Sequence, residues 1–179
     1  MIYMFLADGF EEVEALCPLD LLRRAGLSVT TVGVGDGLIR GAHGISVATD
    51  ITDGDPINND PEMVILPGGM PGTLNLGESP LVLETVRAAA ARGAYLAAIC
   101  AAPSILGDMG LLEGKEAICY PGFEDRLRGA TVSKRRVVRD GNVITAAGMG
   151  VALEFGLELV SVLVSEEKAR ELRHAVIAD

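Results

Sequence analysis

Three short, uninterrupted apolar runs constrain the fold of this chain more than any other feature of its sequence. They cover residues 2–7, 63–66 and 94–99, and each ends in turn residues that precede a helical segment. Continuous apolar runs of this length are typical of strands buried on both faces of a parallel sheet. Since strands and helices alternate, the sequence predicts an α/β fold, a mostly parallel sheet covered by helices on both faces. Functional sites in such folds lie at the carboxyl ends of the strands.

The first helix is expected to follow the first strand almost at once. Asp8 and Glu11 form a capping-box-like start, and Gly26 supplies the C-terminal stop. Pro18 lies inside this helix, and its missing N–H leaves the carbonyl of Glu14 without its helical partner. A bend is therefore expected close to Glu14.

The remainder of the chain continues the alternation, with one β-ribbon inserted after the second strand. An Asp-Gly-Asn turn from residue 140 indicates a hairpin near the C-terminal third. The further elements expected are a strand at 28–34, the ribbon at 38–50, a polar loop at 53–61, a helix at 80–92, a helix up to 109, a strand at 115–120, hairpin strands at 137–138 and 143–144, and helices at 150–164 and from 166.

Length and charge exclude several classes of protein. The 179 residues fit a single domain, 1–179, large enough to bury a core without disulfides or metal. A net charge of −10 lacks the basic footprint that nucleic acids require. The apolar start has no basic flank, and no apolar stretch reaches the roughly 18 residues of a membrane span. We therefore expect a soluble protein with no nucleic-acid or membrane partner.

Three cysteines are too few and too scattered for a disulfide framework or for zinc spacing. This pattern predicts reduced thiols, a cytoplasmic location and no bound metal. Cys100 stands out because it closes the apolar run 94–99 and is followed by Ala101, Ala102 and a helical segment. A side chain at such a corner stands clear of the sheet beside unpaired helical N–H groups, which favour a thiolate over a thiol. The alternative is a small buried apolar residue.

Two further groups are expected at the same edge of the sheet. Gly68 and Gly69 follow the middle strand, and without Cβ atoms their backbone N–H groups can approach a ligand closely. With the N–H of Ala101 they could hold a developing oxyanion, although glycines in turns also occur for steric reasons.

Cys17 and Cys119 are expected to fill the core or an interface.

The motifs together resemble those of the ThiJ/PfpI superfamily, close to its deglycase subgroup and bacterial relatives, over the length of the chain. The resemblance implies a flavodoxin-like three-layer sandwich, similar to class I glutamine amidotransferases, and usually a homodimer without a cofactor. The motifs that carry it are Ala7-Asp-Gly-Phe-Glu-Glu-Val-Glu-Ala, Val64-Ile-Leu-Pro-Gly-Gly, Asn75-Leu, Ala97-Ala-Ile-Cys-Ala-Ala-Pro and Glu154-Phe.

The resemblance also implies roles for individual residues. Cys100 matches the reactive cysteine, Glu14 the carboxyl that contacts it, and Gly69 with Ala101 the oxyanion-type donors. A carboxyl packed beside a thiolate should keep its proton and donate a hydrogen bond to sulfur. The alternative for Glu14 is a solvated helix charge like Glu11 and Glu12. In a homodimer, Arg24 and His43 could line the site from the partner subunit.

One position departs from the family pattern. Many relatives place a histidine near the cysteine, whereas this chain has Tyr120. The obvious general base is then missing, so proteolysis by a Cys–His pair is not expected. Tyr120 could hydrogen-bond a substrate carbonyl or simply lie as an amphipathic aromatic at the rim of a cleft.

Three functions remain open on this basis. The first is a glutathione-independent glyoxalase or deglycase, in which the Cys100 thiolate adds to a small carbonyl substrate such as a 2-oxoaldehyde and Glu14 carries protons. The second is a redox-sensing or chaperone-like protein of oxidative stress, whose output is oxidation of Cys100. The third is another small-molecule hydrolase or hydratase on the same scaffold, because fold alone does not decide the reaction.

Overall fold

A computed structural model describes residues 1–58 and 60–178. Its centre is a seven-stranded sheet in the order β10-β11-β7-β6-β1-β2-β5, in which only the edge strand β10 runs antiparallel to its neighbour. Two small two-stranded sheets, β3–β4 and β8–β9, lie beside it. The strands are β1 Ile2–Leu6, β2 Val29–Gly33, β3 Leu38–Arg40, β4 Ser46–Ala48, β5 Ile51–Thr52, β6 Met63–Leu66, β7 Tyr95–Ile99, β8 Glu116–Ala117, β9 Thr131–Val132, β10 Val137–Asp140 and β11 Val143–Ala146.

Helices cover both faces of the sheet, as the sequence predicts. Alternate residues of β1 point to opposite sides, so that Met4 packs into one core and Phe5 into the other. The first core is completed by α1, α5 and α6, and the second by α2, α3 and α4. The helices are α1 Glu12–Arg24, α2 Gly72–Glu78, α3 Pro80–Ala91, α4 Pro103–Asp108, α5 Ala152–Leu163 and α6 Glu166–Ala175. The expected mostly parallel three-layer α/β fold is confirmed.

The start of α1 differs from the expected capping box. Glu11 occupies the N-cap and its side chain accepts no capping hydrogen bond. The Asp8 carboxylate instead accepts a hydrogen bond of 2.8 Å from the backbone N–H of Arg40. The ribbon β3–β4 therefore takes the acceptor that the sequence pattern assigned to the helix. Beyond this point α1 continues through Pro18 to Arg24.

Other boundaries also move. The strand expected at 115–120 shrinks to β8, because the backbone N–H groups of Ile118 and Tyr120 donate to Thr145 Oγ1 and to the carbonyl of Cys100 instead of to a strand. Helix α2 and the short strands β5 and β9 are additional to the predicted elements. Within the expected polar loop 53–61, residue 59 lies outside the described residues. In the described part of the chain, no helix has the length and apolar character needed to cross a bilayer.

Candidate active site

Cys100 occupies a sharp corner between β7, which ends at Ile99, and α4, which begins at Pro103. Its φ of 64° lies in the left-handed region, which among the described non-glycine residues only Cys100 and Ile177 adopt. Backbone conformations of this kind persist only where the surroundings hold them. Here the N–H of Cys100 donates to the carbonyl of Ala146 at 2.9 Å, and its own carbonyl accepts from Tyr120 N–H at 2.7 Å. The corner predicted from the sequence is confirmed.

Glu14 reaches this corner from the first turn of α1. Its side chain is 1% exposed, and its Oε2 accepts a hydrogen bond of 3.0 Å from the backbone N–H of Gly68. The carboxyl is also hydrogen-bonded to the Cys100 thiol and accepts from the backbone N–H of Met149. A Cβ at Gly68 would lie 2.6 Å from both the Cys100 Cβ and Glu14 Oε2. Only a glycine therefore lets the carboxyl and the thiol meet.

The ionisation of this pair differs from the expectation of a lowered thiol pKa, which is wrong. Burial, and after it the charge of the Glu14 carboxylate, raises the pKa of Cys100 to about 12. Burial likewise raises the pKa of Glu14 to about 7, although its hydrogen bonds with Cys100 and Gly68 oppose the shift. The pair therefore carries at most one negative charge near neutral pH. Glu14 is placed to take the proton of the thiol, because it titrates close to neutrality and touches the sulfur.

The two glycines expected to act together serve different groups. The Gly68 N–H is directed at Glu14, whereas the N–H groups of Gly69 and Ala101 are hydrogen-bonded to the sulfur and lower the pKa of Cys100. Gly69 has a φ of 92°, and a Cβ there would lie 2.3 Å from the backbone nitrogen of Glu11. Donors beside the sulfur are also beside any oxygen on a carbon bonded to it. Gly69 and Ala101 thus form a two-donor site.

Tyr120 borders the same space. Its side chain is half exposed, and a Cβ at Gly148 would lie 3.3 Å from the Tyr120 ring and 3.9 Å from Glu14 Oε1. Its backbone N–H holds the Cys100 carbonyl, so the residue supports the corner whatever its hydroxyl does. The substrate-binding role of Tyr120 stays a prediction.

His43 lies beside α1 but is bonded to Glu12 rather than to Cys100. Glu12 is buried, contrary to its interpretation as a solvated helix charge. Its Oε1 accepts from the backbone N–H groups of His43 at 2.8 Å and Ile45 at 3.3 Å, and its Oε2 lies 2.9 Å from His43 Nδ1. The hydrogen bond with Glu12 raises the pKa of His43. No sequence signal separates Glu12 from Glu11, because the contact joins segments 31 residues apart.

Glu11, Glu12 and His43 each bring one ligand atom to within 4.8 Å of the others, and a cation could be held there. The absence of a metal thus stays a sequence prediction. Arg24 lies at the opposite end of α1, about 15 Å from Glu14 along the helix axis, and pairs with Asp20 at 2.6 Å. Within one chain Arg24 is not part of the site. A homodimer in which a partner contributes Arg24 and His43 stays a prediction.

The other two cysteines lie in the cores. Cys17, one turn after Glu14, is half-buried against the core of α1 and α5, and Cys119 is buried in the core on the other face. Burial is the main cause that raises the pKa of both thiols. Neither has the strained corner or the two N–H donors that surround Cys100.

Several known proteins are similar to this chain over almost its whole length. Protein dj-1beta of Drosophila melanogaster is 35% identical over 177 residues, which cover 97% of this chain and 95% of that protein. A Caenorhabditis elegans protein named Glutathione-independent glyoxalase DJR-1.2 is 32% identical over 167 residues, covering 92% of this chain and 89% of the relative. The solved structure of oxidized Toxoplasma gondii DJ-1 superposes with a TM-score of 0.94 at 32% identity, covering 98% and 97% of the two chains.

The family assignment rests on most of the chain and not on the cysteine corner alone. A sequence profile of the DJ-1/PfpI family matches residues 1–162, which include Glu14, the Gly68-Gly69 turn, Cys100 and Tyr120. Together with the fold, this match shows that the chain belongs to the DJ-1/PfpI family.

Proposed function

We propose that this protein converts small 2-oxoaldehydes such as methylglyoxal to 2-hydroxy acids without glutathione, using Cys100 as nucleophile and Glu14 as proton carrier. The observation that carries the proposal is the contact between the Cys100 thiol and a buried carboxyl whose pKa is raised to about 7. A carboxyl that titrates near neutrality can both accept and return a proton under physiological conditions. The name of the Caenorhabditis elegans relative supports the same substrate class.

The first step is addition to the aldehyde. As the substrate binds, the thiol proton passes to Glu14, and a sulfur–carbon bond forms at the aldehyde carbon. The electron pair of the carbonyl moves to oxygen, where the N–H groups of Gly69 and Ala101 stabilise the charge. Glu14 then returns its proton to this oxygen, which gives a hemithioacetal.

The second step is an internal oxidation and reduction. Glu14 takes a proton from the carbon bonded to sulfur and returns it to the neighbouring carbon, while the hydroxyl proton on the former aldehyde oxygen passes to the former ketone oxygen. The former aldehyde carbon is thereby oxidised to a thioester and the former ketone is reduced to an alcohol. Water cleaves the thioester, which releases the 2-hydroxy acid and restores the thiol. The balance is one aldehyde and one water per product, with no external oxidant or cofactor.

The test is lactate formation from methylglyoxal without glutathione, measured for the wild type, Cys100→Ser, Glu14→Gln and the control Cys17→Ser. We expect turnover close to the wild-type rate only in Cys17→Ser, almost none in Glu14→Gln and none in Cys100→Ser. Lactate formation that survives Cys100→Ser rejects the mechanism, and a wild type without turnover rejects the function.

A second candidate function is redox sensing through the same sulfur. It is favoured by the two N–H donors at Cys100 and by the Glu14 carboxyl, which when protonated could bind the oxygens of a sulfinate. Mild peroxide should then add two oxygens to Cys100 and stop. Intact-mass analysis that shows a three-oxygen product, or equal oxidation at Cys17 and Cys119, would count against a shaped sulfinate site.

A further inference from the structure

Basic side chains are concentrated in one cavity of this acidic chain. The cavity has a volume of about 660 Å³ and lies between the edge strand β10, α5 and α6. Five of the 15 lysines and arginines line this cavity, although the net charge of the chain is −10. These five basic residues are Lys134, Arg135, Arg136, Arg139 and Arg173.

The carboxylates in and around the cavity do not compensate all of this charge. Three arginines have partners, and one of these pairs is long: Arg135–Glu116 at 2.6 Å, Arg136–Glu154 at 2.9 Å and Arg139–Glu158 at 3.9 Å. Among residues 1–58 and 60–178, neither Lys134 nor Arg173 forms an ion pair. Arg173 also donates from Nη1 to the uncharged backbone carbonyl of Ala178 at 3.2 Å. Within the described residues, two positive charges of the cavity therefore have no carboxylate partner.

Protection of a sheet edge does not account for the whole arrangement. Charged residues on an edge strand such as β10 prevent it from pairing with other chains. Arg173, however, belongs to α6 and lines the same cavity from a separate element. Cationic side chains thus converge on this cavity from two elements, although the net charge of the chain is negative. Such a local concentration of positive charge is what recognition of an anion requires.

We propose that this cavity binds a small soluble molecule that carries two linked phosphate groups. Its volume falls in the usual range of small-ligand sites and exceeds what one phosphate needs. Guanidinium groups match phosphate oxygens in pairs, and a lysine adds a point charge. Two uncompensated cations on separate elements suit two phosphates better than one. None of the lining residues belongs to the Cys100 site, so this is a second site.

The test uses inorganic pyrophosphate and orthophosphate as probes in magnesium-free buffer of low ionic strength, with Kd measured by calorimetry. Pyrophosphate should bind at least tenfold more tightly than orthophosphate and should weaken as salt is added. Lys134→Ala and Arg173→Ala should each weaken pyrophosphate binding by about fivefold, the upper range for an exposed ion pair. The control is Arg87→Ala, an exposed arginine on α3 across the sheet, which should leave Kd unchanged.

Thermal unfolding of each variant shows whether it has kept its fold, and Arg173→Gln replaces Arg173→Ala if the alanine variant does not. Lys134→Glu, at an exposed position, should weaken binding more than Lys134→Ala. The proposal is overturned if pyrophosphate binds no better than orthophosphate, if the cavity variants keep the wild-type Kd, or if Arg87→Ala weakens binding equally.

Discussion

Glu12 and Glu14 lie in the same turn of α1 and both are buried, yet their pKa values are shifted in opposite directions. Glu12 is covered by the ribbon turn 41–45, which supplies two backbone N–H groups and an imidazole. Although burial opposes it, these hydrogen bonds lower the pKa of Glu12 below its usual value. Glu14 is enclosed between strand ends, and burial raises its pKa to about 7.

The difference lies in what covers each carboxyl. The ribbon turn is a thin layer near water and presents donors, which favour the charged form. The site edge around Glu14 is deeper, and one of its contacts is a thiol that is itself an acid. Burial alone therefore does not indicate a functional carboxyl. A buried carboxyl does indicate a functional site when its hydrogen bonds do not offset the effect of burial on its pKa and it lies beside a second acid.

The largest effect is expected at the sulfur. Cys100→Ser removes the nucleophile and should reduce lactate formation from methylglyoxal by at least about 10³-fold, because no covalent route remains. Cys17→Ser, one turn beyond Glu14, should retain most of the rate. A comparable loss in both variants would mean that damage to the fold, and not chemistry, explains the result.

Glu14→Gln should lower kcat/KM by about 10²–10⁴-fold, the usual contribution of a proton-transfer group. Glu12→Gln should change the rate by less than about tenfold, since Glu12 touches the ribbon and not the sulfur. In the wild type, the rate should rise with pH through about 7 as Glu14 becomes the base. Equal losses in the two glutamine variants would remove the contrast.

The two variants should also shift stability in opposite directions. Since the pKa of Glu14 is raised from 4.5 to about 7, ionisation costs stability as pH rises through that window. Glu14→Gln should therefore unfold with a free energy higher than the wild type by about 3 kcal/mol at pH 8.5, and with little difference at pH 4. The lowered pKa of Glu12 stabilises the fold above pH 4.5, so Glu12→Gln should be less stable at pH 8.5, with a gap that closes in acid. Denaturant titrations at both pH values decide this.

Thiol reactivity tests the coupling between the two acids. The Glu14 carboxylate is the second cause of the raised pKa of Cys100, so Glu14→Gln should lower that pKa. Alkylation of Cys100 by iodoacetamide at pH 8 should then be faster in the variant, by about tenfold for each unit of pKa. Peptide mapping assigns the modified cysteine. Slower alkylation would show that a protonated Glu14 donates to a thiolate in the wild type.

The smallest effect is expected at the rim. Tyr120→Phe should retain more than about a third of the rate, because it removes at most one neutral hydrogen bond from a half-exposed side chain. Its backbone N–H, which holds the Cys100 carbonyl, is unchanged. Tyr120→His should alter the pH profile by adding a base that titrates near neutrality. A large loss of rate in Tyr120→Phe would show that the Tyr120 hydroxyl takes part in catalysis.

Local patterns in the sequence were enough to place Cys100 and the Gly68-Gly69 turn at one edge of a parallel sheet, whereas the family resemblance singled out Glu14 as their partner. Continuous apolar runs define strands buried on both faces, and parallel strands bring their carboxyl ends to the same edge. The corner at Cys100 followed from the same reasoning, because an apolar strand there meets small residues and then a helix.

Tertiary structure alone decided the charge states of the carboxyls and of the thiol, and which backbone N–H groups bind Glu14 and which bind the sulfur. The donors that hold Glu12 come from the 41–45 turn, and those that hold Glu14 come from residues 68 and 149. The bend expected from Pro18 lies close to Glu14, but it does not predict the pKa of either carboxyl. Desolvation and hydrogen bonding depend on atoms that are brought together from distant parts of the chain. The helix N-terminus at Cys100 therefore predicted a lowered thiol pKa, whereas burial beside Glu14 raises the pKa of this thiol.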